Sequence, residues 1–274
     1  MLTALLEGQR VAASRRIRSE GYSCPDADCG ARVILKTGTR RIPHFAHTPG
    51  SSCSLAYESE LHMRAKLDIA AEYQRRGFIA DVEAPVLSPI ENRRADVLVT
   101  SPRNAGLRYA IEVQDAAIGE EELWRRTRSY AAARVRVIWI ALLRADAWAI
   151  ERDTKDRNVV PKFAPRLHER WIEQVGGVLW LYDPVAKVFW SVTFEDHLLD
   201  RGGVNFINTG LGEHVEIEPY QVASERWVNA VTRGPWGLNR IRIDANGKRP
   251  IGTLKGIDES DPRRSEEGGS GSGP

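Results

Sequence analysis

Two acidic residues lie in apolar, β-branched surroundings where packing alone does not explain a carboxylate. Asp96 precedes the run Val97-Leu98-Val99, and Glu112 lies between Ile111 and Val113. Burying an ionised carboxylate without a partner costs roughly several kcal/mol, so each acid must be paired or must bind a cation. Because Mg²⁺ and Mn²⁺ prefer carboxylate and carbonyl oxygens, Asp96, Glu112 and the carbonyl of Val113 predict a metal site.

A third acid precedes a histidine and a lysine at intervals of four residues. Glu58, His62 and Lys66 belong to a stretch that is typical of a helix and that ends before Gly77. At about 100° per residue the three side chains share one face with the apolar Ile69. The alternative is a ladder of i,i+4 pairs on an exposed helix, but that alternative does not explain why the same face is apolar further along.

Sulfur and imidazole ligands are concentrated near the start of the chain. Cys24, Cys29 and Cys53 are an odd number of thiols, which favours metal ligation in a reducing compartment over a disulfide framework. Their spacing around a predicted hairpin is typical of a zinc ribbon, in which the metal replaces a core too small to fold alone. The alternative is free buried cysteines with surface histidines. We favour His47 as the fourth ligand and keep His44 as an alternative ligand or a phosphate contact.

The hydrophobic pattern predicts the elements that must position these residues. Residues 3–20 indicate a strand followed by a charged turn, and residues 57–76 indicate the helix. Three strands, an amphipathic helix and a nearly continuous apolar strand are predicted next, at 78–83, 95–100, 107–113, 118–133 and 135–142. The result is an α/β core in the order helix, three strands, helix, strand.

The pattern divides the chain into four parts. We expect a zinc-binding module at 1–56, a nuclease-like core at 57–145 and an α+β extension at 146–265, with a β-hairpin near 178–194. The hairpin turns at Asp183-Pro184. Residues 266–274 are rich in Gly and Ser and predict a flexible tail.

Composition limits the class of protein without naming a partner. The chain has 274 residues and a net charge of +2. No apolar run approaches the roughly 18 residues that a membrane helix needs, and no signal peptide is recognisable, so a cytoplasmic protein without a membrane partner is expected. Arginines nevertheless cluster in short runs, which can contact phosphates; the runs are Arg15-Arg16-Ile17-Arg18, Arg40-Arg41, Arg75-Arg76, Arg93-Arg94 and Arg125-Arg126-Thr127-Arg128.

The order of acids and elements resembles the PD-(D/E)XK nuclease superfamily. A closer resemblance, over about residues 20–142, is to the CoiA-like competence protein family. That resemblance is carried by a series of short motifs, Tyr22-x-Cys24-Pro25, Arg41-Ile42-Pro43-His44-Phe45-Ala46-His47, Cys53, Glu58-Ser59-x-x-His62-x-x-x-Lys66, Arg94-Ala95-Asp96-Val97, Ile111-Glu112-Val113-Gln114 and Arg126-x-x-x-Tyr130. It implies a cytoplasmic DNA-processing protein with an N-terminal zinc-binding module, associated with DNA uptake and recombination.

One position departs from the superfamily pattern. Gln114 stands where that superfamily usually has a lysine, although CoiA-like proteins look similar here. A glutamine can orient the attacking water but cannot stabilise the charged transition state. We expect Lys66 to supply that charge and His62 to contact the scissile phosphate or a metal-bound water, while Glu58 completes the metal site or holds such a water.

These residues predict a Mg²⁺- or Mn²⁺-dependent nuclease that hydrolyses phosphodiester bonds in DNA, because a divalent cation polarises the phosphoryl oxygen and activates water. The expected partner is single-stranded or branched DNA, with a recombination or defence protein as a possible second partner. The missing lysine and the arginine runs leave a second hypothesis, a DNA-binding or recombination-mediator protein that no longer cuts. A third is an interaction module that uses the Trp-rich C-terminal third.

Overall fold

The N-terminal part of the chain folds as a small β unit. The computed structural model describes residues 1–16, 19–26, 28–53, 55–152, 159–208, 210 and 213–240. The strands of the N-terminal unit are β1 (Thr3–Leu6), β2 (Gln9–Ala12), β3 (Tyr22–Ser23), β4 (Val33–Lys36) and β5 (His44–His47). β1 lies between β2 and β3 in an antiparallel sheet, and β4 pairs with β5. Tyr22 and Phe45 pack in its core, with ring centroids 4.9 Å apart.

Residues 3–20 were predicted to form one strand followed by a charged turn, and this prediction missed a second strand, β2. Residues 9–12 pair back onto β1 as a hairpin. Glu7 and Gly8 connect the two strands with φ angles of 51° and 77°. Two successive positive φ angles match the twist of the flanking strands, which favours a tight hairpin.

The central part of the chain has the predicted element order. It contains α1 (Glu60–Arg75), β6 (Ile79–Val86), β7 (Arg93–Thr100), β8 (Arg108–Gln114), α2 (Glu120–Ala132) and β9 (Val135–Leu142). β6, β7 and β8 are antiparallel neighbours, whereas β8 and β9 run parallel. The order helix, three strands, helix, strand is therefore confirmed.

Helix α1 begins later than predicted. Ser59 has an extended backbone and its hydroxyl accepts a hydrogen bond from the backbone N–H of His62 at 3.0 Å, so Ser59 is the N-cap. Serine is favoured at this position because its oxygen satisfies a backbone N–H that has no partner within the helix. Glu58 therefore precedes the helix, and its placement on the helical face was wrong.

The C-terminal part extends the same sheet. Its elements are β10 (Trp148–Arg152), β11 (Val159–Phe163), α3 (Leu167–Gly176), β12 (Leu179–Asp183), β13 (Val188–Arg201), β14 (Val204–Asn208), β15 (Glu213–Ile217) and β16 (Tyr220–Gly237). The hairpin expected near 178–194 corresponds to β12 and β13. The tail prediction for 266–274 lies outside the described residues.

The large sheet has helices on both faces. Among the described residues it contains nine strands, in the order β10-β11-β16-β13-β12-β9-β8-β7-β6. One apolar cluster joins α1 to the sheet through Ile69 and Val97, and a second joins α2 and α3 to the sheet through Leu123 and Trp139. None of the helices in the described part of the chain is long and apolar enough to cross a lipid bilayer.

Strand alternation is interrupted where the predicted acid Asp96 lies. Val97 packs in the α1 cluster, but Ala95, two residues away, packs in the α2 cluster. Regular alternation would put both on one face. Opposite Asp96, Glu83 of β6 has a φ of 50°, in the left-handed region that side chains other than Gly rarely adopt. The backbone therefore departs from regular β geometry at the candidate site.

A buried histidine at the start of α3 gives a first testable prediction. Burial lowers the pKa of His168 to about 4, and Arg166 and Arg144 act in the same direction. Between pH 6.5 and about 4 the unfolded chain binds a proton that the folded chain does not, so stability falls as pH falls through this window. We expect a contribution of up to about 3 kcal/mol. Urea unfolding of His168→Gln should show a shallower pH slope there than wild type, and equal slopes would contradict the prediction.

Candidate functional site

Lys66 is a fully buried cation at the centre of the site. It lies within the apolar face of α1, beside the buried Ala65 and Ile69. Its ammonium contacts the Glu58 carboxylate directly, and its Nζ lies 2.7 Å from Glu83 and 3.6 Å from Asp96. An ammonium group has three N–H donors, so three carboxylates match its capacity.

Asp96 lies where β7 and β8 stop pairing regularly. The ladder between these strands runs to Val97 opposite Ile111. Beyond that pair, Asp96 Oδ2 accepts a hydrogen bond from the backbone N–H of Val113 at 2.9 Å, and the Asp96 N–H donates to Glu112 Oε1 at 3.3 Å. The two acid side chains thus replace the next ladder hydrogen bonds, because buried backbone amides need partners.

The His62 imidazole lies between the carboxylates of Glu58 and Asp96 and contacts one with each ring nitrogen. Its Nδ1 lies 3.1 Å from Glu58 Oε1, and its Nε2 lies 3.1 Å from Asp96 Oδ2. Glu58, His62 and Asp96 each offer one candidate ligand atom, and these three atoms lie within 4.8 Å of one another. These three residues, with Lys66, form the acid–histidine cluster. Carboxylate and imidazole donors at this spacing are compatible with a divalent metal ion.

Glu112 is close to this cluster but has its own partners. The Tyr130 hydroxyl donates to Glu112 Oε1 at 2.7 Å, and Arg126 lies 3.7 Å from Oε2. Burial and the neighbouring Asp96 raise the pKa of Glu112 to about 7. The predicted metal set was Glu58, Asp96 and Glu112. The structure groups Glu58 and Asp96 with His62, and it places Glu112 towards α2.

The charges within the acid–histidine cluster favour one another. Burial raises the pKa of Asp96, but His62 and Lys66 outweigh it and lower that pKa to about 2. Burial likewise opposes ionisation of Glu58, yet the hydrogen bond from His62 and the charge of Lys66 hold its pKa well below the usual range. Burial lowers the pKa of His62, and Asp96 outweighs it, raising that pKa to about 10. The acids are ionised and His62 is an imidazolium at neutral pH.

Gln114 has its hydrogen-bond partner outside the acid–histidine cluster. Its side-chain amide donates to the carbonyl of Ala116 at 2.5 Å. The next residue, Asp115, accepts a hydrogen bond from the Ser59 hydroxyl, and its carbonyl accepts one from Arg166 of the C-terminal part. The turn after β8 thus joins the start of α1 to the start of α3. Lys66, the residue expected to compensate for Gln114, lies behind the acids and is not exposed.

Sequence reasoning missed Glu83. It ends the predicted strand 78–83 and is wholly buried, in contact with Lys66. The available signal was the same one that identified Asp96 and Glu112, an acid in an apolar strand. Its other partners are Arg94 of β7 and residues of the N-terminal unit, and no local pattern indicates the latter.

The cysteines and one histidine of the N-terminal unit converge. One ligand atom each from Cys24, Cys29, His47 and Cys53 lies within 4.8 Å of the others. The sulfurs of Cys24 and Cys53 are 3.9 Å apart, and Cys29 Sγ is 3.5 Å from His47 Nε2. A tetrahedral zinc ion with bonds of about 2.3 Å to sulfur and about 2.0 Å to nitrogen separates two sulfur ligands by roughly 3.8 Å and a sulfur from a nitrogen ligand by roughly 3.5 Å. The four residues therefore fit a metal ion.

His44 does not join these four residues. Its Nδ1 lies 2.9 Å from the carbonyl of Ile42, in the segment just before β5.

Burial raises the pKa of the Cys24 thiol to about 12, with Cys53 adding to the effect. A buried thiol with no positive charge beside it stays protonated, and a bound metal ion supplies that charge. We call Cys24, Cys29, His47 and Cys53 the Cys3His site.

The fold and the two sites together indicate a class of domain. A mixed α/β sheet with an acid–histidine cluster where two strands separate, preceded by a unit with a Cys3His site, is consistent with a nuclease-like domain and an accessory N-terminal domain. Residues 58–196 match the family described as "Competence protein CoiA, nuclease-like domain", and residues 6–56 match "Competence protein CoiA, N-terminal domain". The chain belongs to the competence protein CoiA family, which confirms the family predicted from the motifs.

A curated relative agrees with this assignment. Competence protein CoiA of Bacillus subtilis (strain 168) is 28% identical over 131 residues, which cover 46% of this chain and 33% of that protein. The match thus spans about a third of the relative's length. No solved structure matches this chain.

Proposed function

We propose that this protein is a Mg²⁺- or Mn²⁺-dependent DNA nuclease of the PD-(D/E)XK type. The observation that carries the proposal is the convergence of Glu58, His62 and Asp96, with ligand atoms within 4.8 Å of one another, where β7 and β8 separate. A divalent ion at such a place supplies a Lewis acid for the phosphoryl oxygen and lowers the pKa of water. Asp96 and Glu58 would hold it. The His62 imidazolium would contact the phosphate, or would become a third ligand after losing a proton, since only a neutral imidazole ligates a metal ion.

The chain's own residues suggest how protons and charge are handled. Glu112 has a pKa of about 7, near the value that suits a group exchanging protons at neutral pH. Tyr130 fixes its position through a hydrogen bond of 2.7 Å. Lys66 contacts the acids from the buried side, and its positive charge keeps Asp96 and Glu58 ionised.

We further propose that the Cys3His site binds Zn²⁺ and that this ion is structural. A site of four protein ligands leaves no open position for a substrate. The N-terminal unit has short strands and a small core. Units of this size bury little apolar surface and are only marginally stable on their own, so a bound metal ion would add to stability.

Cleavage of DNA tests the leading proposal. Single-stranded, duplex and branched DNA should be incubated with and without Mg²⁺ or Mn²⁺. Asp96→Ala is expected to lower the cleavage rate by at least about 100-fold, the effect of removing a group that acts on the transition-state charge. The control is Asp81→Ala, which removes an exposed acid from β6 and should cut like wild type. Equal activity of Asp96→Ala and wild type would contradict hydrolysis at this site.

A second candidate is a DNA-binding protein on a nuclease-like scaffold. Two observations favour it, the bond of Gln114 to Ala116 and the neutralisation of the acids by Lys66 and His62. It predicts no cleavage with any metal, DNA binding that is unchanged in Glu112→Gln, and a steep loss of affinity with salt. Each neutralised phosphate contributes about −0.7 to −0.9 to the log–log slope.

A further inference from the structure

Glu83 connects the N-terminal unit to the acid–histidine cluster through one carboxylate. Its Oε1 accepts a hydrogen bond from the backbone N–H of Leu2 at 2.8 Å and lies 2.7 Å from Lys66 Nζ. Its Oε2 accepts from the N–H of Thr3 at 3.0 Å and from the Thr3 hydroxyl at 2.8 Å. Arg94 Nη1 lies 3.4 Å from the same oxygen. A single side chain thus contacts both β1 and the central lysine.

The backbone at Glu83 is held from the same side. Arg10 of β2 donates to the carbonyl of Glu83 at 2.9 Å and to that of Val82 at 3.2 Å. The left-handed φ of Glu83 turns this residue out of regular strand geometry. Such a conformation persists where surrounding contacts determine it, and it is concentrated at functional sites. The N-terminal unit supplies those contacts on both the backbone and the side chain.

The position of Lys66 depends on this arrangement. A lysine side chain has four rotatable bonds and a compact charge, so it adopts one position only when its donors are all engaged. Two of its three partners, Glu58 and Asp96, belong to the candidate metal-binding group, and the third is Glu83. Without a fixed Glu83, the ammonium, which already contacts Glu58 and lies 3.6 Å from Asp96, would be free to shift towards Asp96 and occupy the space between the two acids.

We propose that Glu83 is a positioning residue through which docking of the N-terminal unit sets the position of Lys66 and keeps Glu58 and Asp96 available for a cation. The consequence for catalysis rests on the proposed nuclease function, whereas the position of Lys66 does not. The N-terminal unit then has a second role besides binding its own metal ion, which is to hold Glu83 and Lys66 in position. This role makes that unit part of the nuclease-like site.

Lysine acylation of the full-length protein tests this inference without any DNA. Lys66 is wholly buried, and Lys162 on β11 is a second buried lysine outside the site. The rate of acetylation at each is measured by mass spectrometry in wild type, in Glu83→Gln and in the double variant Thr3→Val, Arg10→Ala. The double variant removes contacts of the N-terminal unit and leaves Glu83 in place. Glu72→Gln, which removes a charge from α1 that pairs with Arg75, is the control.

We expect the acetylation rate of Lys66 to rise at least about tenfold in Glu83→Gln and several-fold in the double variant, with Lys162 unchanged in both. Unchanged protection of Lys66 in both variants would overturn the proposal. So would a parallel rise at Lys66 and Lys162, since general destabilisation exposes both. If the proposed nuclease function is wrong, DNA cleavage fails in wild type while the labelling result stands, so the two proposals fail independently.

Discussion

Lys66→Met should lower the free energy of unfolding by at least about 3 kcal/mol at pH 7, because removing one partner of a buried ion pair leaves uncompensated charge in the interior. Here the loss affects three carboxylates at once, those of Glu58, Glu83 and Asp96. Methionine retains most of the side-chain volume, so a cavity contributes little. Urea unfolding at pH 7 measures the difference from wild type.

The effect should depend on pH and on divalent cations. In wild type the depressed pKa of Asp96 contributes stability that is present above about pH 4 and is lost as pH falls towards 2. In the variant the acids repel one another, so protonation in mildly acidic buffer relieves the repulsion and the difference from wild type should narrow as pH falls. Millimolar Mg²⁺ or Mn²⁺ should stabilise the variant more than wild type, since a cation between Glu58 and Asp96 replaces the lost ammonium.

Lys187→Met is the matched control for this experiment. Its ammonium also pairs with a carboxylate, Asp68 Oδ1 at 2.7 Å, but the Lys187 side chain is 64% exposed. Exposed pairs are worth about 0–1 kcal/mol. A loss in Lys66→Met no larger than in Lys187→Met would contradict the buried ion network.

The element order was predictable because it rests on local patterns. Val135–Leu142 is an apolar run interrupted only by Arg136, as expected of a strand covered on both faces, and it forms β9 between β8 and β12. The burial of Glu112 followed from its apolar neighbours. The start of α1 was misplaced although a local signal existed. Ser59 is a favoured N-cap residue, and the spacing of Glu58, His62 and Lys66 dominated the interpretation instead.

The membership of the acid–histidine cluster could not be predicted from periodicity. Helical spacing predicted one side for Glu58 and His62, although Glu58 precedes α1. Which strand acids these two residues contact depends on the interruption of β6 and β7. Glu83 contacts Leu2 and Thr3, about 80 positions earlier in the chain. A contact over that separation is decided by how two folded units dock, and a sequence pattern of a few residues contains no information about it.

The Cys3His site gives the second large effect, since structural zinc contributes about 10–16 kcal/mol of apparent binding free energy at pH 7. Metal analysis of wild type should find about one zinc per chain. His47→Gln should lose most of that zinc and unfold the N-terminal unit, because the imidazole lies 3.5 Å from Cys29 Sγ within the ligand group. Cys24→Ser should do the same, as its thiol is the most buried of the three.

His44→Gln separates metal ligation from general loss of a histidine. His44 lies on the same strand, β5, three residues before His47, and its ring nitrogen contacts the Ile42 carbonyl. This variant should keep its zinc, and its free energy of unfolding should stay within about 1 kcal/mol of wild type, the value of one neutral hydrogen bond. Loss of zinc in His44→Gln with retention in His47→Gln would reverse the ligand assignment. A folded, zinc-free wild type would show that the four side chains pack together without a metal ion.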